Sequence, residues 1–188
     1  MKKIAIFASG SGSNAQNIAQ HFAQSTEIQI SLILANRPDA YVLQRAQNLG
    51  IPQYVFDRDT FYQQTQVLAE LQAHEIDFIV LAGFMWLIPD YLLEAYPNKI
   101  INIHPSLLPR YGGKGMYGDK VHQAVIAAAD THSGITIHYV NSRYDEGQVI
   151  YQATCPVLPT DTPETLATKI HDLEYEHFPK IIDLVVNQ

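Results

Sequence analysis

Short apolar runs alternate with helix-periodic stretches along the first half of the chain, and that alternation leaves few folds open. Lys3–Ala8, Ile28–Ala35, the short Pro52–Phe56, Asp77–Ala82 and Ile100–His104 read as strands. Between them Ser13–Gln24, Ala40–Leu49 and Thr60–His74 read as helices, Gly50 ending the second, and a shorter helix follows Pro89. Asp77–Ala82 is almost continuously apolar, the pattern of a strand covered on both faces. Repeated strand–helix units of this kind imply an α/β fold with a mostly parallel, twisted sheet and helices on both faces. The second half changes character. His122–Ala129 reads as a helix, and Gly134–Val140 and Gln148–Val157 read as strands forming an antiparallel element. Asp161-Thr162-Pro163-Glu164 then starts a long C-terminal helix over Thr162–Val186. No repeat, low-complexity tract or linker divides the chain, so residues 1–188 are expected to form a single domain.

Composition narrows the function classes. The chain has 188 residues, enough to bury a core without disulfides, and 47% are hydrophobic. No apolar run approaches the ~20 residues of a membrane span. Met1-Lys2-Lys3-Ile4-Ala5-Ile6-Phe7 reads as a first strand rather than a signal peptide, because Ser9-Gly10-Ser11-Gly12 interrupts the apolar run too early. One cysteine, Cys155, cannot form an internal disulfide, which fits a reducing cytoplasm. With 12 basic and 19 acidic residues the net charge is −7, which argues against a nucleic-acid surface or a polybasic membrane anchor. An anionic substrate would have to be held locally.

The chemistry is concentrated in Ile100-Ile101-Asn102-Ile103-His104-Pro105-Ser106-Leu107-Leu108-Pro109. Side chains alternate along a strand, so Asn102 and His104 share one side while Ile101 and Ile103 pack the other. Pro105 cannot donate to a further ladder rung and ends the strand at His104. An amide and an imidazole therefore stand together at a strand's carboxyl end, where open α/β sheets bind ligands. Asn can donate a hydrogen bond to a developing oxyanion, and His can donate one or carry a proton. A His that merely caps a turn would not need an Asn two residues earlier.

Ser9-Gly10-Ser11-Gly12-Ser13-Asn14-Ala15 follows the first strand and opens a helix, so free N–H groups and a positive dipole end face whatever binds there. Gly10-x-Gly12-x-x-Ala15 satisfies a relaxed dinucleotide fingerprint. The second strand, however, ends in Ala35-Asn36-Arg37-Pro38, without the acid that would hold a ribose diol. The hydroxyl and amide donors suit a terminal phosphate monoester better; the plain alternative is a turn in which Asn14 caps the helix. A carboxylate to complete the strand-end site is available at Asp145, in the polar loop Asn141-Ser142-Arg143-Tyr144-Asp145-Glu146-Gly147. Placed near His104 it would favour the imidazolium and orient it. From the residues alone Asp145 reads equally as a solvated turn acid. The histidines have no metal-ligand spacing: His171 and His177 are not i, i+4, and His74-Glu75 lacks a second His. No metal is expected.

Taken in order, Ser9–Asn14, Leu81-Ala82-Gly83-Phe84-Met85, Asn102–Pro109 and Asp145-x-Gly147 resemble the phosphoribosylglycinamide formyltransferase family over essentially the whole chain. The resemblance implies a Rossmann-like N-terminal half and transfer of a formyl group from 10-formyltetrahydrofolate, a co-substrate, to the amine of glycinamide ribonucleotide in purine biosynthesis. It implies catalytic roles for Asn102, His104 and Asp145, and a ribonucleotide site at Gly12, Ser13, Asn14, Gly83, Met85, Pro105 and Glu174. It implies a folate cleft from Met85, Trp86, Leu87, Ile88, Asn102 and the loop Asn141, Ser142, Arg143, Tyr144 and Asp145, with Arg58 toward the folate tail. Residues 1–100 would then be the phosphate-binding half and 101–188 the catalytic and folate-binding half. The partners implied are these two small molecules, with no nucleic acid and no membrane, in a cytoplasmic monomer or homodimer.

Two segments depart from the family pattern. Trp86 stands where many relatives carry Arg, so a folate contact is altered or replaced by ring packing. Tyr111-Gly112-Gly113-Lys114-Gly115-Met116-Tyr117-Gly118-Asp119-Lys120 is longer and richer in glycine; it reads as a solvated loop, the other reading being a flap that brings Lys114 to the phosphate. Among alternative functions, a methionyl-tRNA formyltransferase is expected to be longer and less acidic, and a formyltetrahydrofolate deformylase to carry a regulatory domain. A non-catalytic nucleotide-binding domain would have no need of Asn102 beside His104.

Overall fold

The computed structural model describes residues 1–63 and 65–187. A seven-stranded sheet in the order β3-β2-β1-β4-β5-β6-β7 runs through it. Strands β1 (Lys2–Ala8), β2 (Ile28–Ala35), β3 (Gln53–Val55), β4 (Phe78–Leu81) and β5 (Ile100–His104) are parallel, while β6 (His132–Tyr139) and β7 (Val149–Pro156) are antiparallel. This is the α/β arrangement that the alternating pattern implies, with its antiparallel element in the second half.

Strand alternation sorts the core into two layers. Ile4, Ile6, Val80, Ile101 and Ile103 face one side, where α1 (Ser13–His21), α2 (Tyr41–Leu49), α6 (Asp119–Ala127) and α7 (Pro163–Val186) supply Ile18, Val42, Val125, Ile170 and Phe178. Ala5, Phe7, Leu34, Ile79 and Ile100 face the other, covered by Phe61 of α3 (Arg58–Tyr62), Leu71 of α4 (Gln66–Ala73) and Leu92 of α5 (Asp90–Ala95). Both layers exclude water from side chains each worth about 1.5–3 kcal/mol on full burial.

The single helix read over Thr60–His74 is instead two, α3 and α4; Gln64, within that stretch, lies outside the described residues. The Asp57 carboxylate accepts from the Thr60 N–H in a capping box, which starts α3 at Arg58. Phe61 and Val67 are both fully buried, yet six helical residues would set them 240° apart; two helices let both reach the core. The first helix stops at His21, short of Gln24, because the Ser25 hydroxyl accepts from the Glu27 and Ile28 N–H groups and turns the chain into β2. Helix α6 begins at Asp119, three residues before the expected His122. Helix α7 starts as its sequence signal indicates, with Thr162 as N-cap and Pro163 in the first turn.

Sheet order reverses between β1 and β4, the place where open α/β sheets open a crevice beyond their carboxyl ends. There the Ser9 N–H donates to the Gly83 carbonyl (3.0 Å) and the Ser9 hydroxyl accepts from the Met85 N–H (3.1 Å). The two strand-end turns are thereby fastened together.

Candidate active site

A cleft of about 500 Å³ opens at this crevice. It is lined by Asn102 and His104 of β5, by the Gly10–Asn14 turn, and by Met85–Ile88 with Val140, Arg143 and Tyr144.

Gly12 shapes the first turn. Its φ is +73°, and a Cβ there would lie 2.3 Å from Val42 Cγ2, so both conformation and space demand glycine. No side chain caps α1 at this end, and Asn14 turns away from the role: its Nδ2 donates to Glu174 in α7 (2.8 Å). The first-turn N–H groups are therefore left for a ligand.

The strand exit is held from below. Thr136, opposite His104 in β6, donates through Oγ1 to the Ser106 carbonyl (2.7 Å) and accepts from the Leu108 N–H (3.0 Å). Gln152 Nε2 donates to both the Leu108 carbonyl (3.1 Å) and Thr136 Oγ1 (2.8 Å). The chain then climbs to Tyr111, whose carbonyl accepts from His104 Nε2 at 2.8 Å, and the Tyr111 hydroxyl donates to Asp130 (2.7 Å).

Asp145 reaches the site by an indirect route. Strand β6 runs away from the carboxyl end of β5, so the 140–148 connection folds back over the face carrying Asn102 and His104. Asp145 Oδ2 then stands 3.5 Å from His104 Nδ1 and accepts from the Gly113 N–H (2.9 Å), and Oδ1 stands 3.7 Å from His138 Nε2. The return is tight. A Cβ on Gly147 would lie 1.6 Å from the Tyr139 carbonyl oxygen, and Asp145 itself has φ +57°. Gly147→Ala is expected to destabilise the fold by about 3 kcal/mol, lowering Tm by about 6–12 °C. A thermal melt within about a degree of the parent would contradict this packing.

Proton positions follow from the acceptors. A carbonyl can only accept, so His104 Nε2 carries a proton, and so does His138 Nδ1, which donates to the Tyr139 carbonyl at 2.8 Å. A neutral His138 then presents a lone pair at Nε2, which accepts from Asn102 Nδ2 at 3.1 Å. This orients the Asn102 amide and leaves its second N–H uncommitted. Both nitrogens of His104 face acceptors, a setting that favours the imidazolium, but burial is the larger influence and lowers its pKa below the ordinary 6.5; Asp145 and the Tyr111 carbonyl pull it back up. The expectation that pairing with Asp145 would dominate is corrected by that burial. For Asp145, burial raises the pKa, but His138, His104 and the Gly113 N–H together hold it below 3.8. At 3.7 Å His138 Nε2 is too far from Oδ1 for a hydrogen bond, and the ring acts on Asp145 as a charge only when doubly protonated. Burial pushes Glu174 above 4.5, against the Asn14 amide and His171.

These shifts carry a sign for stability. The folded His104 and His122 both bind protons less readily than an ordinary 6.5 imidazole, so the unfolded chain takes up protons first as pH falls. Stability should decline as pH drops below about 6.5, and again below 3.8 as Asp145 is neutralised; Glu174, held above 4.5, opposes part of the loss. Urea midpoints between about pH 8 and about pH 5 test this, and a midpoint that rises on acidification would contradict it.

The cleft collects nearly all the residues singled out in the sequence: Gly12, Ser13, Asn14, Gly83, Met85, Trp86, Leu87, Ile88, Asn102, His104, Pro105, Arg143, Tyr144, Asp145 and Glu174 line it. Three are placed elsewhere. Asn141 and Ser142 are exposed outside the lining, and Asn141 braces its loop by accepting from the Arg143 N–H (2.9 Å) and donating to the Glu146 carbonyl (3.2 Å). Arg58 is exposed and lies over the rings of Tyr62 (5.3 Å) and Trp86 (5.8 Å). Trp86 thus combines a cleft position with ring packing against Phe56, Phe61 and Phe84. The glycine-rich segment is not a loop held off in solvent: Gly113–Gly118, with Lys114, form part of the wall. His122, His138 and His171 also line the cleft and carried no spacing signal; only the antiparallel register, which sets His138 opposite Asn102, brings the His138 contact into view.

Residues 2–182 match the model of the formyl transferase family, described as "Formyl transferase". The phosphoribosylglycinamide formyltransferase of Bacillus subtilis is 38% identical over 187 residues, covering 97% of this chain and 93% of that protein. The chloroplastic phosphoribosylglycinamide formyltransferase of Arabidopsis thaliana is 36% identical over all of this chain, which spans 66% of that longer protein's length. The solved phosphoribosylglycinamide formyltransferase of Streptococcus pneumoniae superposes with a TM-score of 0.87 at 37% identity, covering 99% of each chain. With a family match across nearly its whole length and a fold shared with these relatives, the chain belongs to the formyl transferase family.

Proposed function

We propose that this protein transfers the formyl group of 10-formyltetrahydrofolate to the primary amine of glycinamide ribonucleotide. The observation that carries the reading is one cleft lined both by an uncapped helix N-terminus and by Asn102, His104 and Asp145, with Asp145 3.5 Å from His104 and Asn102 joined to them through His138. A phosphate monoester suits the first, and acyl transfer suits the second. The apolar wall of Met85–Ile88, Val140 and Tyr144 suits a flat pterin ring.

In this reaction the amine lone pair forms a bond to the formyl carbon, and the carbonyl π electrons move to oxygen. The uncommitted Asn102 N–H donates to that oxyanion, and the developing negative charge favours the protonated form of His104, against the burial that keeps the resting ring mainly neutral. Direct donation from His104 Nε2 requires the Tyr111 carbonyl to release it. The attacking nitrogen then loses a proton, and the folate nitrogen gains one as its bond to carbon breaks. Asp145, ionised and partly buried, is suited to accept and return that proton through water. Holding both substrates together removes much of the entropic barrier. The free, buried thiol of Cys155 suits a reducing, cytoplasmic setting, and no described helix is long and apolar enough to cross a membrane.

Removing the substrate's phosphate tests the ribonucleotide end. The dephosphorylated riboside is expected to bind about a hundredfold more weakly by calorimetry, as charged hydrogen bonds at the α1 terminus are lost. Equal affinity for ribotide and riboside would refute the phosphate site.

A further inference from the structure

His122 takes no part in the chemistry above, yet its surroundings are those of a ligand-binding group. It lies in α6, its residue is 3% exposed, and it lines the cleft. Among the described residues neither ring nitrogen bonds to protein. Nδ1 is sealed from solvent without a partner. Nε2 is not sealed in this way, which makes it the ring atom that meets the cleft.

That asymmetry decides the tautomer. A proton on Nδ1 would be a donor buried with nothing to accept it, whereas a proton on Nε2 points at whatever fills the cleft. Double protonation would bury the same unpaired donor and add charge beside two other imidazoles. Burial first, then His171 and His104, push its pKa down, and Asp119 alone opposes them. The ring is a neutral, single donor.

Its position identifies the acceptor. His122 stands on α6, which packs against α7, the helix that brings His171 and Glu174 to the same cleft, and both His171 and His104 influence its charge. One turn beyond His171, Glu174 holds Asn14 of the α1 turn (2.8 Å), and Asn14 Oδ1 is a second buried atom without a partner. Two buried, unpartnered polar atoms thus belong to residues that line the cleft from α1 and α6, the helices packed with α7 on one face of the sheet. Trp86 and Ile88 of the folate wall instead pack with the core layer on the other face of the sheet.

We propose that His122, through Nε2–H, binds an acceptor oxygen of the substrate's ribose 5-phosphate portion as a neutral donor that takes no part in proton transfer. This rests on reading the cleft as a ribonucleotide site. It makes His122 a substrate-binding residue rather than a second acid or base.

Three substitutions separate the ring's roles. His122→Phe keeps a ring without N–H, His122→Gln places an amide N–H near the Nε2 position, and His122→Asn places one near Nδ1. Phe and Asn should raise KM for glycinamide ribonucleotide about tenfold, with the loss in KM rather than kcat and the folate KM unmoved, while Gln should stay within about threefold of the parent. Nitrogen-15 NMR of the substrate-free protein should find the His122 proton on Nε2. Repeating the kinetics with the riboside locates the oxygen: a Phe penalty that vanishes points to phosphate, and one that persists points to a sugar hydroxyl. If His122→Phe fails to fold, the Gln and Asn variants and the NMR carry the test. Unchanged KM in all the variants, Gln as poor as Asn, or a proton on Nδ1 would overturn the proposal. A parent enzyme that transfers no formyl group to the ribonucleotide would overturn the functional reading instead, and the tautomer, read without substrate, would distinguish the two failures.

Discussion

Replacing Asn102 with Ala is expected to lower kcat by about 10²–10³-fold with little change in either KM, because it removes a donor used only by the oxyanion. The reason lies in how the amide is held. His138 donates through Nδ1 to the Tyr139 carbonyl, so in the neutral ring Nε2 accepts, and Asn102 is held with its NH₂ group toward that lone pair. Asn102→Asp keeps the shape but reverses the polarity and places a second carboxylate near Asp145. It should be at least as inactive as Ala. Steady-state rates on protein with a parent-like circular dichroism spectrum check this, and near-parental turnover in either variant would remove Asn102 from the reaction.

Asp145 and His104 are expected to behave as one unit. Asp145→Asn keeps the volume but removes the charge that holds the His104 pKa up against burial. The imidazole should then titrate lower still, and kcat should fall by about a hundredfold or more through loss of both the imidazolium and the proton relay. His104→Ala should cost a similar factor. The double variant should be little worse than the poorer single, since each substitution disables the same assembly. Four rates and an NMR titration of His104 in the parent and Asp145→Asn proteins decide it. An unchanged titration with fully multiplicative losses would make Asp145 an independent loop residue.

Local rules carried the sequence reading a long way, and it stopped where tertiary register took over. Asn102 and His104 were legible because period-2 alternation and Pro105 determine where their side chains stand. Gly12 was legible because a strand–turn–helix junction needs a left-handed residue, and the structure adds Val42 as the reason no larger residue fits. Asp145 was ambiguous for a physical reason: its loop leaves β6 at the end remote from His104 and returns across the sheet face, which no local pattern encodes. His138 was invisible for the same reason, since its task depends on lying opposite Asn102 in an antiparallel pair. The α3–α4 break was hidden by a continuous helix-forming composition, and the burial of both Phe61 and Val67 reveals it. The downward shift of His104 required knowing that the strand end is buried rather than open to the crevice.

The fate of the formyl carbon tests the central claim most directly. With 10-formyltetrahydrofolate labelled with carbon-13 at the formyl group, NMR should show the label moving to the amide of formylglycinamide ribonucleotide, one equivalent per tetrahydrofolate released, only when glycinamide ribonucleotide is present. Label appearing as formate at the same rate with or without the ribonucleotide, or remaining on the folate in its presence, would contradict the account.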